Sequence, residues 1–495
     1  MKLFRLVSAL CVAITLGAAT ASADSARDIE PAVQGIFGLL PADAVTEHVL
    51  PTPDGPLPYR ATAGTIELHG TDGKVSAKVF YTAYIRADGA RRPLTFAFNG
   101  GPGAASAYLH LGLAGPRVVD FGANGDDGAA ARLVDNPESW LRFTDLVFID
   151  PVGTGWSRAA GDGNEFYGIR QDAEAMAKVI SLYVQRSGRL DVPKYLLGES
   201  YGGFRAAKVA RALKDSQGML VSGVIMVSPM IEARLIFRDS DDPLGAALQF
   251  PSIVAARLER EKAFDVKSVA EAETFAMGDY LVSLAGPAPD GPEGAAFYDK
   301  VARLTGIDRR LVERARGFLG DILSKTPDGE IASPYDAALT APDPYPETPS
   351  ARADDPVLDG YTRAYGSFFA SYARRELNYP CEMTYSLLSL DVNRRWDWKE
   401  GRSGSRGDAE ASSDIRELLA TLPGFRLMVM HGYGDILTPY GASRYVLDHL
   451  PPTLAEGRTV LTIYRGGHMF YTRPDSRHGA FGDARAFYAR AAGTE

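Results

Sequence analysis

Tyr195-Leu196-Leu197-Gly198-Glu199-Ser200-Tyr201-Gly202-Gly203-Phe204 is the stretch from which the rest of the chain is read. Tyr195 to Leu197 is a short apolar run of the length and composition of a strand buried on both faces, and a helical pattern runs from Phe204 to Lys214. Between them lies G-x-S-x-G, whose glycines let the backbone turn sharply from strand to helix and lift the serine hydroxyl clear of the sheet. With 51 glycines in 495 residues the string alone says little; the strand, turn and helix around it carry the weight. Ser200 is therefore the candidate nucleophile.

Outward from this turn, further continuous apolar runs occur at Leu94 to Phe98, Leu146 to Ile149 and Val221 to Val227, and a second helical pattern spans Gly168 to Arg186. Their alternation predicts a doubly wound α/β domain with a mostly parallel sheet. Upstream, the alternating stretch from Gly64 to Arg86, broken at Thr71-Asp72-Gly73, reads as a hairpin. The pattern changes after about Met230. From there to about Leu422 the chain offers helical segments (Ile253 to Phe264, Ser268 to Leu284, Arg309 to Leu323, Tyr361 to Leu377) and Pro-rich loops, with no buried strand. Strands resume at Arg426 to Met430 and Thr459 to Tyr464, and a helix near Ala480 to Ala492 closes the chain. The expectation is one core, residues 61–230 and 423–495, interrupted by a mainly helical insertion over 231–422 that caps the strand ends. Residues 24–60 form an N-terminal extension, and Gly401 to Ser413 reads as a mobile exposed loop.

The first 23 residues read as a signal peptide. Lys2 and Arg5 precede an apolar run from Leu6 to about Ala19, and Ala21-Ser22-Ala23 offers the small residues of a cleavage site. That predicts export, to a periplasm or outside the cell. The run is about 14 residues, too short for a span of roughly 20, so no transmembrane helix is expected. Cys11 lies in the leader, which leaves Cys381 without a partner for an intrachain disulfide. With 45% hydrophobic and 23% charged residues the chain is globular, and a formal charge of −9 argues against holding nucleic acid or an anionic membrane by a basic surface. Nothing in the sequence fixes an oligomeric state.

A serine hydroxyl needs a base to take its proton and a third group to orient the base. In a doubly wound sheet those partners come later in the chain, on loops after late strands. Arg426 to Met430 is followed by His431-Gly432-Tyr433-Gly434-Asp435, and Thr459 to Tyr464 by Gly466-Gly467-His468. Asp435 and His468 are the candidates. Of the seven histidines, His48, His69 and His110 precede the serine, His431 precedes the acid and His449 lies on a helical pattern; His478 is the remaining rival. Donors for a developing oxyanion would come from the Tyr201 N–H and from the loop Asn99-Gly100-Gly101-Pro102-Gly103, where the glycines let main-chain N–H groups approach a ligand. No H-E-x-x-H, paired C-x-x-C or G-x-x-x-x-G-K motif occurs, so no metal site is expected, and the reaction requires no cofactor.

Together N-G-G-P-G at Asn99, D-P-V-G-T-G-W-S at Asp150, G-E-S-Y-G-G at Gly198, G-Y-G-D at Gly432 and G-G-H-M at Gly466 resemble the serine carboxypeptidases, a family of α/β-hydrolase fold. With the leader, the resemblance implies an exported, bacterial-type member. It covers both core segments in order; the insertion resembles the family's cap in position alone. It implies that Gly101 and Tyr201 supply the oxyanion N–H groups, that Asn99, Gly100 and Glu199 bind the substrate's terminal carboxylate, and that Met469 lines the leaving-residue pocket. A carboxylate cannot donate to another carboxylate, so Glu199 would act protonated, a state that burial favours. Three positions depart from the family pattern. Ala97 stands for a tryptophan, Ala104 for a cysteine, and Leu113 for the acidic partner of the glutamate.

The expected function is a serine carboxypeptidase that cleaves C-terminal residues of peptides or proteins through an acyl-enzyme on Ser200. An esterase or acyltransferase on the same triad is the enzymatic alternative, and a catalytically inactive peptide-binding homologue the alternative of another class.

Overall fold

Along each central strand, alternate residues belong to two different apolar layers, as a two-residue side-chain period on a doubly covered sheet requires. Phe96 and Phe98, Val147 and Ile149, Leu196, Val224 and Met226, and Leu427 and Val429 pack into one layer. Ala97, Leu146 and Phe148, Tyr195 and Leu197, Ile225 and Val227, and Met428 and Met430 pack into the other. The computed structural model describes residues 35–491 apart from 124, 127, 238–240, 321–328, 349–353 and 401–403. The expected leader, 1–23, lies outside the described residues, as does the start of the extension.

The sheet strands are β1 (Ala44–Leu50), β2 (Leu57–His69), β3 (Val75–Arg86), β4 (Leu94–Phe98), β5 (Asp145–Ile149), β6 (Lys194–Glu199), β7 (Gly223–Val227), β8 (Arg426–Gly432) and β9 (Thr459–Tyr464). Their spatial order is β1-β2-β3-β5-β4-β6-β7-β8-β9, with a two-residue strand, Arg158–Ala159, pairing with β3 beside that path. The first three strands and their junction with β5 are antiparallel, and from β5 to β9 every pairing is parallel. This is the mostly parallel α/β sheet that the sequence predicted. The hairpin is present as β2 and β3, and the extension contributes β1, whose weak alternation gave no strand signal.

Helices α1 (Ile169–Arg186) and α2 (Tyr201–Gln217) cover the first layer, and α3 (Ala364–Arg375) and α4 (Pro474–Ala491) the second. α3 comes from the insertion, yet Phe369 and Tyr372 pack against the layer's His110, and Phe369 also against Trp156. Helices Pro243–Arg260, Val266–Phe275 and Gly291–Thr305 form a third apolar cluster that meets the core at Ile436 and Tyr440. The insertion also holds a short antiparallel ribbon, Glu330–Ala332 with Thr340–Pro342. Three-residue strands fall below what periodicity reveals. No helix among the described residues is long and apolar enough to cross a membrane.

One expectation is corrected. Of the loop expected over 401–413, residues 401–403 lie outside the described residues and 404–406 are exposed, but the stretch that follows is anchored: Ala409 and Ala411 are buried, and the backbone pairs with the segment after β7 through Ala233 N to Ala409 O and Ala411 N to Ile231 O, both 2.9 Å. Small and charged composition concealed an edge held by main-chain bonds.

Candidate active site

β4 and β6 are neighbours, and the chain leaves them toward opposite sides of the sheet, so the loops that follow them face a common crevice. The loop after β6 is the Ser200 turn. Ser200 has φ 61° and ψ −126°, a conformation costly for a residue with a side chain. It is held by Ser200 N to Val227 O and Gly203 N to Ser200 O, both 2.9 Å. A Cβ at Gly198 would strike the Gly202 carbonyl, and one at Gly202 would lie 2.6 Å from Phe98 O, so both flanking glycines are sterically required.

The loop after β4 passes against this turn: a Cβ at Gly100 would lie 2.6 Å from Tyr201 N. Gly100 O accepts from Ala104 N at 3.0 Å, which turns the N–H of the same peptide, that of Gly101, the opposite way. Neither Gly101 N–H nor Tyr201 N–H has an acceptor among the described residues. Two donors are thus available beside Ser200. Arg205, on the first turns of α2, supports the loop from behind. It is fully buried, donates from Nε to Asp172 Oδ2 at 2.6 Å, and donates from Nη1 to Asn99 O. Sequence reasoning missed this pair, because an arginine and an aspartate 33 residues apart on two helices carry no local signal.

Asp435 and His468 meet on loops after β8 and β9. His468 Nδ1 lies 2.8 Å from Asp435 Oδ2, and both side chains are buried. Asp435 Oδ1 accepts from Leu437 N at 3.0 Å and Thr438 N at 2.9 Å, and the Thr438 hydroxyl lies 2.8 Å from Asp435 Oδ2. Three donors hold the carboxylate in one orientation. Burial works against the imidazolium of His468, but the Asp435 charge and hydrogen bond outweigh it and raise the pKa above the ordinary value. The ring is aimed by the insertion: His468 N donates to Tyr335 O at 2.5 Å, and Tyr335 meets the imidazole edge-on at 5.0 Å. A Cβ at Gly467 would strike that same carbonyl, which explains the glycine before the histidine.

The other buried histidines are engaged elsewhere. His110 stacks on Phe148 and takes the Tyr84 hydroxyl at 2.7 Å, and His431 bonds the Ser443 hydroxyl at 2.8 Å. The rival His478 is on the surface, paired with Glu138 at 2.7 Å.

Ser200, His468, Asn99, Gly100, Gly101, Glu199, Tyr201 and Met469 all line one cavity of about 260 Å³; Asp435 lies behind His468. Glu199 is 2% exposed. Burial raises its carboxyl to about 7, against the opposing influence of the His468 charge and of hydrogen bonds from Tyr471 and Asn99. The Tyr471 hydroxyl donates to Glu199 Oε2 at 2.7 Å. Leu113 is buried in the apolar layer, so among the described residues a phenol, and no second acid, partners the glutamate. Gly112 makes room for it, since a Cβ there would strike the Tyr471 ring. Tyr108 lines the cavity with a buried hydroxyl that has no hydrogen-bond partner among the described residues.

Residues 51–233 match the family model of the serine carboxypeptidases. Similar proteins include serine carboxypeptidase-like 44 of Arabidopsis thaliana, 28% identical over 161 residues, covering 32% of each chain. The pheromone-processing carboxypeptidase KEX1 of Cryptococcus gattii is 32% identical over 171 residues, 34% of this chain and 25% of that protein. The matches thus span a third or less of these relatives' length. The fold is similar to that of the prohormone-processing carboxypeptidase KEX1(delta)p of Saccharomyces cerevisiae, with a TM-score of 0.55 at 16% identity over 87% of this chain and 91% of that one. The matched residues hold the glycine loop and the Ser200 turn, so this part of the chain is similar to the serine carboxypeptidases, and the whole shares the fold of the yeast enzyme.

Proposed function

We propose that the protein is a serine carboxypeptidase that hydrolyses the last peptide bond of its substrates through an acyl-enzyme on Ser200. His468, with Nδ1 bonded to Asp435, has Nε2 left to take the Ser200 proton as the hydroxyl attacks the carbonyl and to return it to the departing amine. The N–H groups of Gly101 and Tyr201, free of acceptors, suit the oxyanion of the tetrahedral intermediate. Water then enters by the same base and releases the shortened peptide.

The single observation that carries the exopeptidase reading is Glu199: a buried carboxyl raised to about 7, one residue before the nucleophile and lining its cavity. In its protonated form it donates to the terminal carboxylate of a substrate. Asn99 and Gly100 line the same cavity, and the Tyr108 hydroxyl, without a hydrogen-bond partner among the described residues, offers a further donor. Met469 gives the leaving residue an apolar contact. The leader favours export as the setting for this activity.

The test is release of a free amino acid from an N-blocked dipeptide, compared with the same dipeptide amidated at its C-terminus. Cleavage of the acid and not the amide is expected, together with labelling of Ser200 by a fluorophosphonate. Equal cleavage of both would remove the carboxylate recognition and leave a general acyl hydrolase.

A further inference from the structure

The cavity has a second wall, built from Phe237, Trp398 and Arg406. Arg406 begins a single helical turn, Arg406–Asp408, which is closed by Ser405 N and Oγ on Asp408 Oδ2 at 2.7 and 2.8 Å. Its guanidinium lies 3.5 Å from the ring centre of Phe237 and 5.1 Å from that of Trp398. Trp398 in turn meets Tyr201 edge-on at 5.6 Å, which puts Arg406 on the Tyr201 side of the nucleophile. Glu199 is engaged by Tyr471.

Arg406 has no carboxylate partner among the described residues. The contrast with the other arginines around the site is plain: Arg205 is paired with Asp172, and Arg473 with Glu259 and Asp336. The charged groups that line the cavity are Arg406, Glu199 and His468, and the last has Asp435 behind it. A guanidinium laid over two rings keeps its edge donors available for a planar anion while its faces are covered.

We propose that Arg406, with Phe237 and Trp398, forms a subsite that selects an acidic side chain, Asp or Glu, on the residue whose carbonyl Ser200 attacks. The guanidinium edge takes the side-chain carboxylate by paired N–H···O bonds, and the rings cover the methylene groups. This inference rests on the acyl-enzyme reading given above, and it adds the class of substrate: peptides with an acidic penultimate residue.

Two substrate series separate the subsite from that reading. One is N-blocked X-Leu dipeptides with X as Glu, Leu or Lys; the other is the p-nitrophenyl esters of the same three N-blocked amino acids. For the wild type, kcat/KM for Glu over Lys is expected at about tenfold in both series, smaller at high salt because the guanidinium reaches solvent. Arg406→Gln lowers the Glu to Leu ratio, and Arg406→Glu turns the preference toward Lys. Ratios unchanged in both variants, or an equal loss on every dipeptide with no change among the esters, would overturn the subsite; the second pattern would assign Arg406 to the terminal carboxylate. Failure to cleave the dipeptides with the Glu preference intact among the esters would overturn the carboxypeptidase reading and keep the subsite.

Discussion

On the sheet side of the cavity Glu199, Asp435 and His468 are buried, Ser200 is half-buried, and hydrogen bonds hold them in place, whereas on the insertion side Phe237 and Trp398 are half-buried and Arg406 is held against them by stacking. Ser200 is fixed by β7, the glycine loop by Arg205 and Ala104, and Asp435 by two backbone N–H groups of its own loop. Bonds of this kind tolerate little change, while a stacked surface side chain can be exchanged at small cost. Under the proposed function the difference is a division of labour: the sheet sets the reaction, and the insertion sets what is admitted to it. The insertion is not confined to selection, however. Its segment around Tyr335 is bonded to both late loops, through Ala337 N to Gly434 O at 2.9 Å and His468 N to Tyr335 O.

The sharpest way to break this division is at the sheet. Ser200→Ala or His468→Ala is expected to lower kcat/KM on every substrate by about 10⁴ or more, and Asp435→Asn by a comparable factor, with circular dichroism unchanged. If one of these losses appeared with one substrate class alone, reaction and selection would not be separable. Next in size is Arg205→Met, which strands the buried Asp172 charge. A loss of about 3–5 kcal/mol in denaturant unfolding is expected. Pairing it with Asp172→Asn recovers much of that stability but not kcat, because Asn99 O still lacks its donor; full recovery of kcat would show that Arg205 acts on the fold alone.

The pH profile comes third. Glu199 raised to about 7 donates to a terminal carboxylate below that pH and repels it above, so kcat/KM for peptides should fall toward tenfold per pH unit above about 7, while ester hydrolysis holds. The acid limb, set by protonation of His468, is shared by both substrates because its raised pKa removes the base as pH falls. Superimposable profiles would exclude Glu199 from carboxylate binding. The smallest effect is expected of Tyr471→Phe. Removing the phenol takes away a bond that favours the ionised carboxyl, so the alkaline limb for peptides moves to higher pH, by about one unit or less. A shift to lower pH would mean that Tyr471 acts otherwise than as a donor to Glu199.

Much of the reaction side was legible before any coordinates. Continuous apolar runs gave the parallel strands, and the candidates Ser200, Asp435 and His468 lie on the turns that follow three of them, where the sequence put them. Thr438 was legible in principle, three residues after an aspartate in a turn, where its N–H and hydroxyl return to the carboxylate. Tyr335, Tyr471 and Arg205 were not, since each acts through a contact between segments distant in sequence. The insertion was least legible. Its packing against the core depends on aromatic contacts such as Phe369 on Trp156, and the turn carrying Arg406 has the composition of a loop.

The central claim is that this geometry removes residues from C-terminal ends, and it is tested most directly by mass spectrometry of a defined peptide mixture after incubation with the wild type and with Ser200→Ala. Loss of single residues confined to the C-terminus, present with the wild type and absent with the variant, is the predicted result; internal cleavage, or trimming that survives the substitution, would contradict it.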